Sequence, residues 1–234
     1  MVKNCSRFPL FKVLFFIGIL FFFACSNEAE KQETSASETT STEDSSKEKQ
    51  SNERVILFFG NSLTAGYGLE EDETFTHIID ERIDSFNLPY TVVNAGLSGE
   101  TTAGGLGRID WVLQQQVDIF VLELGANDAL RGIDLKSTRE NLKGILDKVK
   151  KANPDVDIII AGMLAPPNMG KEYTDEFKSI FSDLAKEYNA GLIPFFLDGV
   201  GGIPEMNQDD GIHPNAAGEK IVAENIWVVL EEYL

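Results

Sequence analysis

The stretch Val55-Ile56-Leu57-Phe58-Phe59-Gly60-Asn61-Ser62-Leu63 carries the strongest fold signal in this chain. Its first five residues form an uninterrupted apolar run of strand length, and Gly60 ends the run. Strands of this kind are covered on both faces, as in a parallel sheet with helices on either side. The stretch therefore predicts a central strand, with Ser62 in the loop that follows it.

Strand and helix patterns alternate after this stretch. Apolar runs predict strands at 90–95, 119–124, 156–163 and 192–196, and helical spacing predicts helices at 74–86, 102–116, 135–153, 174–188 and 214–233. We expect Thr174 to cap its helix, Pro194 to confine the last strand to an edge, and Pro214 to lie in or near the first turn of the last helix. The alternation is typical of a single three-layer α/β/α domain with a mostly parallel five-stranded sheet, whose ligands bind at the carboxyl ends of the strands.

The charge and the few metal-binding residue types exclude several classes of protein. The 234 residues carry a formal net charge of −18, which argues against a nucleic-acid partner because phosphate binding needs clustered Lys and Arg. Cys5 and Cys25 both precede the predicted domain, so that domain has no disulfide framework. The only histidines are His77 and His213, so we expect no structural metal site.

The first 24 residues have the layout of a secretory signal peptide. A basic start is followed by the apolar run 13–24, which ends at Ala24 before Cys25. An uncleaved anchor is the alternative, although the run is shorter than a typical membrane span. The sequence Phe22-Phe23-Ala24-Cys25 resembles a bacterial lipobox, with Phe22 where Leu is commonest. The resemblance implies cleavage before Cys25, lipidation of Cys25, and an exported protein anchored at the periplasmic face or the outer cell surface.

Residues 25–53 have the composition of a tether. From residue 26 onward this segment has no aromatic residue and is rich in Ser, Thr, Glu and Lys. Such a segment buries too little apolar surface to offset the entropy of ordering. We therefore expect a disordered acidic tether at 25–53 and a folded domain at 54–234, which we expect to be a monomer.

Four short blocks bring chemically useful side chains to predicted strand ends and loops. They supply a hydroxyl nucleophile, groups that can donate to an oxyanion, and an Asp/His pair that can activate the hydroxyl; the blocks are Gly60-Asn61-Ser62-Leu63, Ser98-Gly99-Glu100, Gly125-Ala126-Asn127-Asp128 and Asp210-Gly211-Ile212-His213. Histidine titrates near neutral pH, as a general base should. Taken alone, Ser62 could cap a helix, Gly99 could be an ordinary turn glycine, and Asp209 could replace Asp210 beside His213.

These blocks and their surroundings resemble the SGNH (GDSL-type) hydrolases. The likeness is to the branch with thioesterase I/lysophospholipase L1 and bacterial arylesterases, and it extends to Leu63-Thr64-Ala65-Gly66-Tyr67-Gly68, Glu123-Leu124-Gly125-Ala126-Asn127-Asp128, Leu130-Arg131-Gly132 and Asp209-Asp210-Gly211-Ile212-His213-Pro214. It implies a flavodoxin-like fold and a serine esterase without a cofactor or metal.

The resemblance also implies a role for each site residue. Ser62 would be the nucleophile, His213 the general base and Asp210 the triad acid. The oxyanion hole would consist of the backbone N–H groups of Ser62 and Gly99 and the side-chain amide of Asn127.

One residue departs from the family pattern. Asn61 stands where these hydrolases usually have Asp, a residue that helps to order the nucleophile loop without joining the triad. Asparagine keeps one carbonyl acceptor and loses the charge. The departure therefore concerns the electrostatics of the loop rather than the reaction.

The substrate is less well defined by the sequence. Leu164, Pro166 and Met169 follow the fourth predicted strand and, with Met206, could form an acyl-binding wall, although such loops are also ordinary surface connections. Candidate substrates are lysophospholipids, aryl or short-chain esters, and thioesters other than cytosolic acyl-CoA. Alternatives are a carbohydrate O-acetyl esterase and a non-catalytic lipoprotein that binds a glycan or protein on a degenerate hydrolase fold.

Overall fold

Five parallel strands form the centre of the part of the chain that the computed structural model describes, residues 54–234. They are β1 (Arg54–Gly60), β2 (Tyr90–Gly96), β3 (Ile119–Glu123), β4 (Asp157–Ala161) and β5 (Gly191–Ile193). Their spatial order is β2-β1-β3-β4-β5, which is the doubly wound, flavodoxin-like arrangement. In such sheets the chain leaves β1 and β3 in opposite directions, which opens a crevice at their carboxyl ends.

Within residues 54–234, six α-helices surround the sheet. They are α1 (Phe75–Ser85), α2 (Thr102–Val112), α3 (Ala126–Leu130), α4 (Leu135–Ala152), α5 (Lys171–Tyr188) and α6 (Ala216–Leu230), with short 3₁₀ helices at Glu71–Glu73, Pro167–Met169, Pro204–Met206 and Glu231–Tyr233. Helices α2, α4 and α5 pack in a row, while α1 packs against α6. All five residues of β3 are buried, as are the last five of β1, so the strands that carry the site are fixed on both faces.

The predicted fold class is confirmed, and β5 is an edge strand as expected from Pro194. The predictions for the start of α5 and the end of α2 are wrong. Thr174 does not cap α5, because that helix begins at Lys171 and the Thr174 hydroxyl donates to the Lys171 carbonyl at 3.0 Å. Helix α2 ends at Val112, before three exposed glutamines at 114–116. Pro214 lies near the first turn of α6, as expected: it directly precedes the N-cap Asn215, which accepts from the backbone N–H groups of residues 217 and 218.

The predicted signal peptide, the lipidated Cys25 and the tether lie outside the described residues. From residue 54 to residue 234, every helix is too short or too polar to cross a membrane.

Candidate active site

The nucleophile loop, residues 60–67, leaves the carboxyl end of β1 as a series of tight turns. The Ala65 N–H donates to the Asn61 carbonyl at 3.0 Å, and the Tyr67 N–H donates to the Ser62 carbonyl at 3.0 Å. No regular helix follows Ser62 before Glu71, so the helix-cap interpretation of this serine is wrong. The half-buried Ser62 lines a cleft at the carboxyl end of the sheet, as the convergence of parallel strand ends requires.

His213 and Asp210 reach the same cleft from the loop before α6. The Nε2 atom of His213 lies 2.8 Å from Ser62 Oγ, and its Nδ1 atom lies 2.6 Å from Asp210 Oδ2. A carboxylate only accepts hydrogen bonds, so Nδ1 carries the proton and Nε2 is free to accept from the serine hydroxyl. Asp210 rather than Asp209 makes this contact.

The Asp210 carboxylate is held by a local turn. Its Oδ1 atom accepts from the backbone N–H groups of Ile212 at 2.9 Å and of His213 at 3.0 Å. Gly211 permits the turn with a φ of +68°, a conformation that side-chain-bearing residues rarely adopt. The hydrogen bond from the His213 ring, followed by the two backbone N–H groups, lowers the pKa of Asp210 to about 2. Asp210 is therefore ionised wherever histidine can act as a base.

Gly99 and Asn127 line the cleft beside Ser62. Gly99 has a φ of +79°. Its carbonyl accepts from Arg131 Nη2 at 2.9 Å, which holds the peptide bond between residues 99 and 100 in place. Asn127 lies in the first turn of α3, where its Nδ2 donates to the Glu100 carbonyl at 3.0 Å. A side-chain amide has two N–H donors, so one remains for a ligand.

The buried Asp128 anchors α3, the short helix that carries Asn127. It accepts from the Thr102 N–H at 2.9 Å and from the Thr102 hydroxyl at 2.5 Å, which ties α3 to the start of α2. The sequence patterns did not predict α3, because five residues are too few for a helical period to be detected.

The cleft beside these groups has a volume of about 740 Å³ and mostly apolar walls. Its apolar lining consists of Leu63, Tyr67, Ala126, Leu130, Met163, Leu164, Ala165, Pro166, Pro167, Phe195, Leu197 and Ile212. The Tyr67 ring lies 4.7 Å from the His213 ring, measured between centroids. Tyr67, Leu130 and Ile212 belong to blocks quoted above, but no signal in the sequence showed that their side chains face the cleft.

The structure separates the four predicted wall residues into two pairs. Leu164 and Pro166 line the cleft, whereas Met169 and Met206 do not. Met169 ends a 3₁₀ helix and lines a separate depression beside Gly132, because the loop after β4 turns away from Ser62 at that point. Met206 packs against the hydrophobic core, with its carbonyl over Gly218 of α6.

A buried carboxylate lies behind the nucleophile. Glu123, the last residue of β3, is 1 % exposed and accepts from the Asn61 side-chain amide at 2.7 Å, the Asn61 N–H at 3.1 Å and the Thr64 hydroxyl at 2.9 Å. Burial raises the pKa of Glu123 to about 7, although these donors oppose the rise. Within residues 54–234, Glu123 and the other His, Cys, Asp and Glu residues form no cluster of three or more that could hold a metal ion.

Residues 58–221, which include Ser62, Gly99, Asn127, Asp210 and His213, match the GDSL-like Lipase/Acylhydrolase family. The chain belongs to this family. It is 35 % identical over 182 residues to Esterase TesA of Pseudomonas aeruginosa, covering 77 % of this chain and 90 % of that protein. It is 37 % identical over 170 residues to Thioesterase 1/protease 1/lysophospholipase L1 of Escherichia coli K12, covering 72 % of this chain and 79 % of that protein.

A solved structure gives the same result for the fold. The crystal structure of TesA superposes with a TM-score of 0.74 at 35 % sequence identity, covering 77 % of this chain and all of that one. The family match and the solved structure therefore give the same fold for this chain.

Proposed function

We propose that this family member hydrolyses carboxylic esters through an acyl intermediate on Ser62. The observation that carries the proposal is the continuous contact from Asp210 to His213 at 2.6 Å and from His213 to Ser62 at 2.8 Å. Hydrogen-bonded nucleophile, base and orienting acid are the three parts of a serine triad. A non-catalytic binding protein would not need to maintain this geometry.

The reaction follows from these contacts. The Ser62 oxygen attacks the ester carbonyl while His213 Nε2 takes the hydroxyl proton, and ionised Asp210 stabilises the imidazolium. The N–H groups of Ser62 and Gly99 and the amide of Asn127 donate to the oxyanion of the tetrahedral intermediate. His213 then protonates the leaving alkoxide, and an acyl-serine remains. Water, deprotonated by the same imidazole, releases the carboxylic acid and restores Ser62.

The walls of the cleft favour an apolar acyl or aryl group. Many of the residues that line the cleft have apolar or aromatic side chains, so a carbon chain would lose water on binding; among them are Leu164, Pro166, Tyr67, Leu130 and Ile212. We therefore favour fatty-acyl, aryl and lysophospholipid esters over acetylated glycans, whose sugar rings need many hydrogen-bonding groups. The similarity to an esterase and to a thioesterase/lysophospholipase supports the same range of substrates.

The direct test is hydrolysis of p-nitrophenyl acetate, butyrate and longer acyl esters by wild-type protein and the Ser62→Ala variant. We expect wild-type turnover that depends on Ser62, and kcat/KM that rises from acetate to butyrate as the apolar cleft is filled. Absence of turnover on every ester, with normal circular dichroism, would contradict the proposal. A lysophospholipid series then separates lipid from aryl specificity.

We further propose that the protein acts at a membrane surface, attached through lipidated Cys25 and the tether at 25–53. The support is the basic, apolar and Ala24-Cys25 order at the start of the chain. In cell fractionation, the Cys25→Ala variant should leave the membrane fraction or accumulate unprocessed. A correctly cut Cys25→Ala protein that still sediments with membranes would contradict lipidation.

A further inference from the structure

Glu123 is a buried ionisable group with no part in the triad chemistry. In the sheet it pairs with Gly60, the residue at which the nucleophile loop begins. The contact is close on both sides: a Cβ atom on Gly60 would lie 2.5 Å from Glu123 Oε2 and 2.0 Å from Thr64 Oγ1. The carboxylate thus occupies the space directly under the loop.

Asn61 connects this carboxylate to the nucleophile. Its Nδ2 donates to Glu123 Oε1 at 2.7 Å, while its Oδ1 accepts from the Leu63 N–H at 3.0 Å and lies 3.4 Å from Ser62 Oγ. With 1 % of its surface exposed, Asn61 has little water to replace these partners. The orientation of its amide is therefore determined by Glu123 on one side and determines the turn around Ser62 on the other.

We propose that Glu123 is a positioning residue for Ser62, and that Asn61 is the partner matched to the two acceptor oxygens of a carboxyl group at position 123. The proposal rests on the esterase function proposed above. It explains why this chain works with Asn where the SGNH hydrolases usually have Asp: the amide donates to Glu123 and keeps the acceptor that the Leu63 N–H needs.

Counting donors and acceptors makes the match specific. With Asn61→Asp, two carboxylates would face each other across the 2.7 Å contact and would have to share a proton. With Glu123→Gln, a new amide would point an N–H group either at the Asn61 side-chain amide or at the Asn61 backbone N–H, so one buried donor conflicts in both orientations. The exchange of both residues restores every pairing. The new amide at position 123 donates to the new carboxylate at position 61, and its oxygen accepts from the backbone N–H of residue 61 and from the Thr64 hydroxyl.

Other charged groups near Glu123 are few within the described residues. Glu219, in the first turn of α6, is a second buried carboxyl group. It accepts from the Phe75 N–H at 2.7 Å and not from the nucleophile loop. Arg108 of α2 donates to the Gly60 carbonyl at 3.4 Å and is paired with Glu100. Glu219→Gln is therefore a matched control, since it replaces a second buried, ionisable carboxyl group with an amide without changing the pairing under Ser62.

The experiment compares kcat and KM on p-nitrophenyl butyrate for wild type, Glu123→Gln, Asn61→Asp, the double exchange and Glu219→Gln. We expect Glu123→Gln to lower kcat roughly 10- to 100-fold, as a buried donor left without a partner would. KM should change little, because Glu123 does not line the cleft. The double exchange should recover kcat to within about tenfold of wild type, and Glu219→Gln should leave it unchanged.

A pH series tests the shared proton. Asn61→Asp should stay within about tenfold of wild type at pH 6, and its activity relative to wild type should fall as pH rises to 9, because the shared proton leaves and two buried charges repel. The double exchange, with one carboxylate, should not show this extra fall. This arm remains informative even if Glu123→Gln does not fold.

Two results would overturn the proposal while leaving the esterase function intact. One is a folded double exchange no more active than Glu123→Gln, and the other is a pH dependence of Asn61→Asp that parallels wild type. If the wild-type protein itself did not hydrolyse the ester, that result would instead contradict the proposed function.

Discussion

The two loops that bring Ser62 and His213 together are built in opposite ways. The nucleophile loop rests on buried groups: Asn61, Thr64 and Glu123 are each no more than 1 % exposed. The histidine loop is exposed from residue 209 to residue 212 and is held by a three-residue turn. One half of the site is thus positioned by the packing of β1 against β3, and the other by local backbone hydrogen bonds.

The carboxylates of the two loops show what this difference achieves. Burial raises the pKa of Glu123 to about 7, whereas the His213 hydrogen bond and two backbone N–H groups lower that of exposed Asp210 to about 2. Asp210 must be charged to stabilise an imidazolium, and exposure to water makes that charge inexpensive to maintain. Glu123 need only hold the nucleophile loop in place through its hydrogen bonds. The exposed carboxylate, Asp210, therefore acts through its charge, whereas the buried one, Glu123, acts through the hydrogen bonds that it accepts.

The Gln208 side chain is one of the groups that link the two loops. Gln208 Nε2 donates to the Tyr67 carbonyl at 2.7 Å and to the Pro214 carbonyl at 2.9 Å, and its backbone N–H donates to the His213 carbonyl at 2.8 Å. The Tyr67 ring also packs against the imidazole. These contacts hold the exposed histidine loop against the buried nucleophile loop.

The largest expected effects come from removing one reacting group from each loop. Ser62→Ala and His213→Ala should each reduce kcat to near background, a loss on the order of 10⁶, because triad members act as a unit. The measurement is kcat/KM on one soluble ester, with circular dichroism to verify folding. His77→Ala is the control, since His77 lies on α1 and contacts Glu81 rather than the cleft. Loss of activity in His77→Ala with retention in His213→Ala would refute the site.

The next effect tests whether the exposed carboxylate acts through charge. Asp210→Asn should lower kcat by roughly 10⁴, because an amide no longer selects the imidazole tautomer that can accept the Ser62 proton. Asp209→Asn is a matched neighbour and should change kcat about twofold or less, since Asp210 makes the contact. A larger loss for Asp209→Asn than for Asp210→Asn would move the triad acid by one residue.

A smaller effect is expected at the oxyanion hole. Asn127→Ala should lower kcat on the order of 10²–10³ while two backbone donors remain. KM should change less than kcat, because the interaction is strongest in the transition state. Pre-steady-state measurement of acylation with a p-nitrophenyl ester separates this step from deacylation. An unchanged acylation rate would exclude Asn127 from the hole.

The smallest predicted effects concern stability, and they differ in sign between buried and exposed carboxylates. Burial raises the pKa of Glu219 from 4.5 to about 8, so its contribution to stability is present below pH 4.5 and is lost as pH rises toward 8. Glu219→Gln should therefore gain over wild type by roughly 1 to 3 kcal/mol between those pH values. Asp210, with its lowered pKa, contributes stability above pH 3.8 that is lost as pH falls toward 2.

Thermal unfolding of wild type, Glu219→Gln and Asp210→Asn from pH 3 to 9 measures both trends. The difference in Tm between Glu219→Gln and wild type should widen with rising pH, and the difference between wild type and Asp210→Asn should narrow with falling pH. Parallel curves for all three proteins would show that these carboxylates do not differ between the folded and unfolded states as proposed.

The sequence predicted the fold class and the meeting of the four blocks because both depend on local patterns. Apolar runs identify parallel strands, and the loops after such strands must converge on one edge of the sheet. Ser62 and His213 are 151 positions apart, yet this rule alone predicts that they meet. The choice of Asp210 over Asp209 came from the spacing seen in the SGNH family.

Contacts that depend on how elements pack were not predictable. Glu123 was part of a recognised block, but only the register of β3 against β1 shows that its side chain lies under Asn61. Met169 and Met206 were proposed as cleft residues from their place in loops, but the paths of these loops depend on tertiary packing and leave both side chains outside the cleft. Thr174 satisfied a capping pattern, but α5 begins one turn earlier.

The central claim is that Ser62 is a nucleophile activated by His213, and covalent labelling tests it most directly. A fluorophosphonate should form one adduct per chain on the peptide that contains Ser62, as identified by mass spectrometry of the digested protein. Labelling should disappear in Ser62→Ala and slow strongly in His213→Ala, while His77→Ala labels at the wild-type rate. An adduct on another residue, or equal labelling of Ser62 with and without His213, would contradict the account.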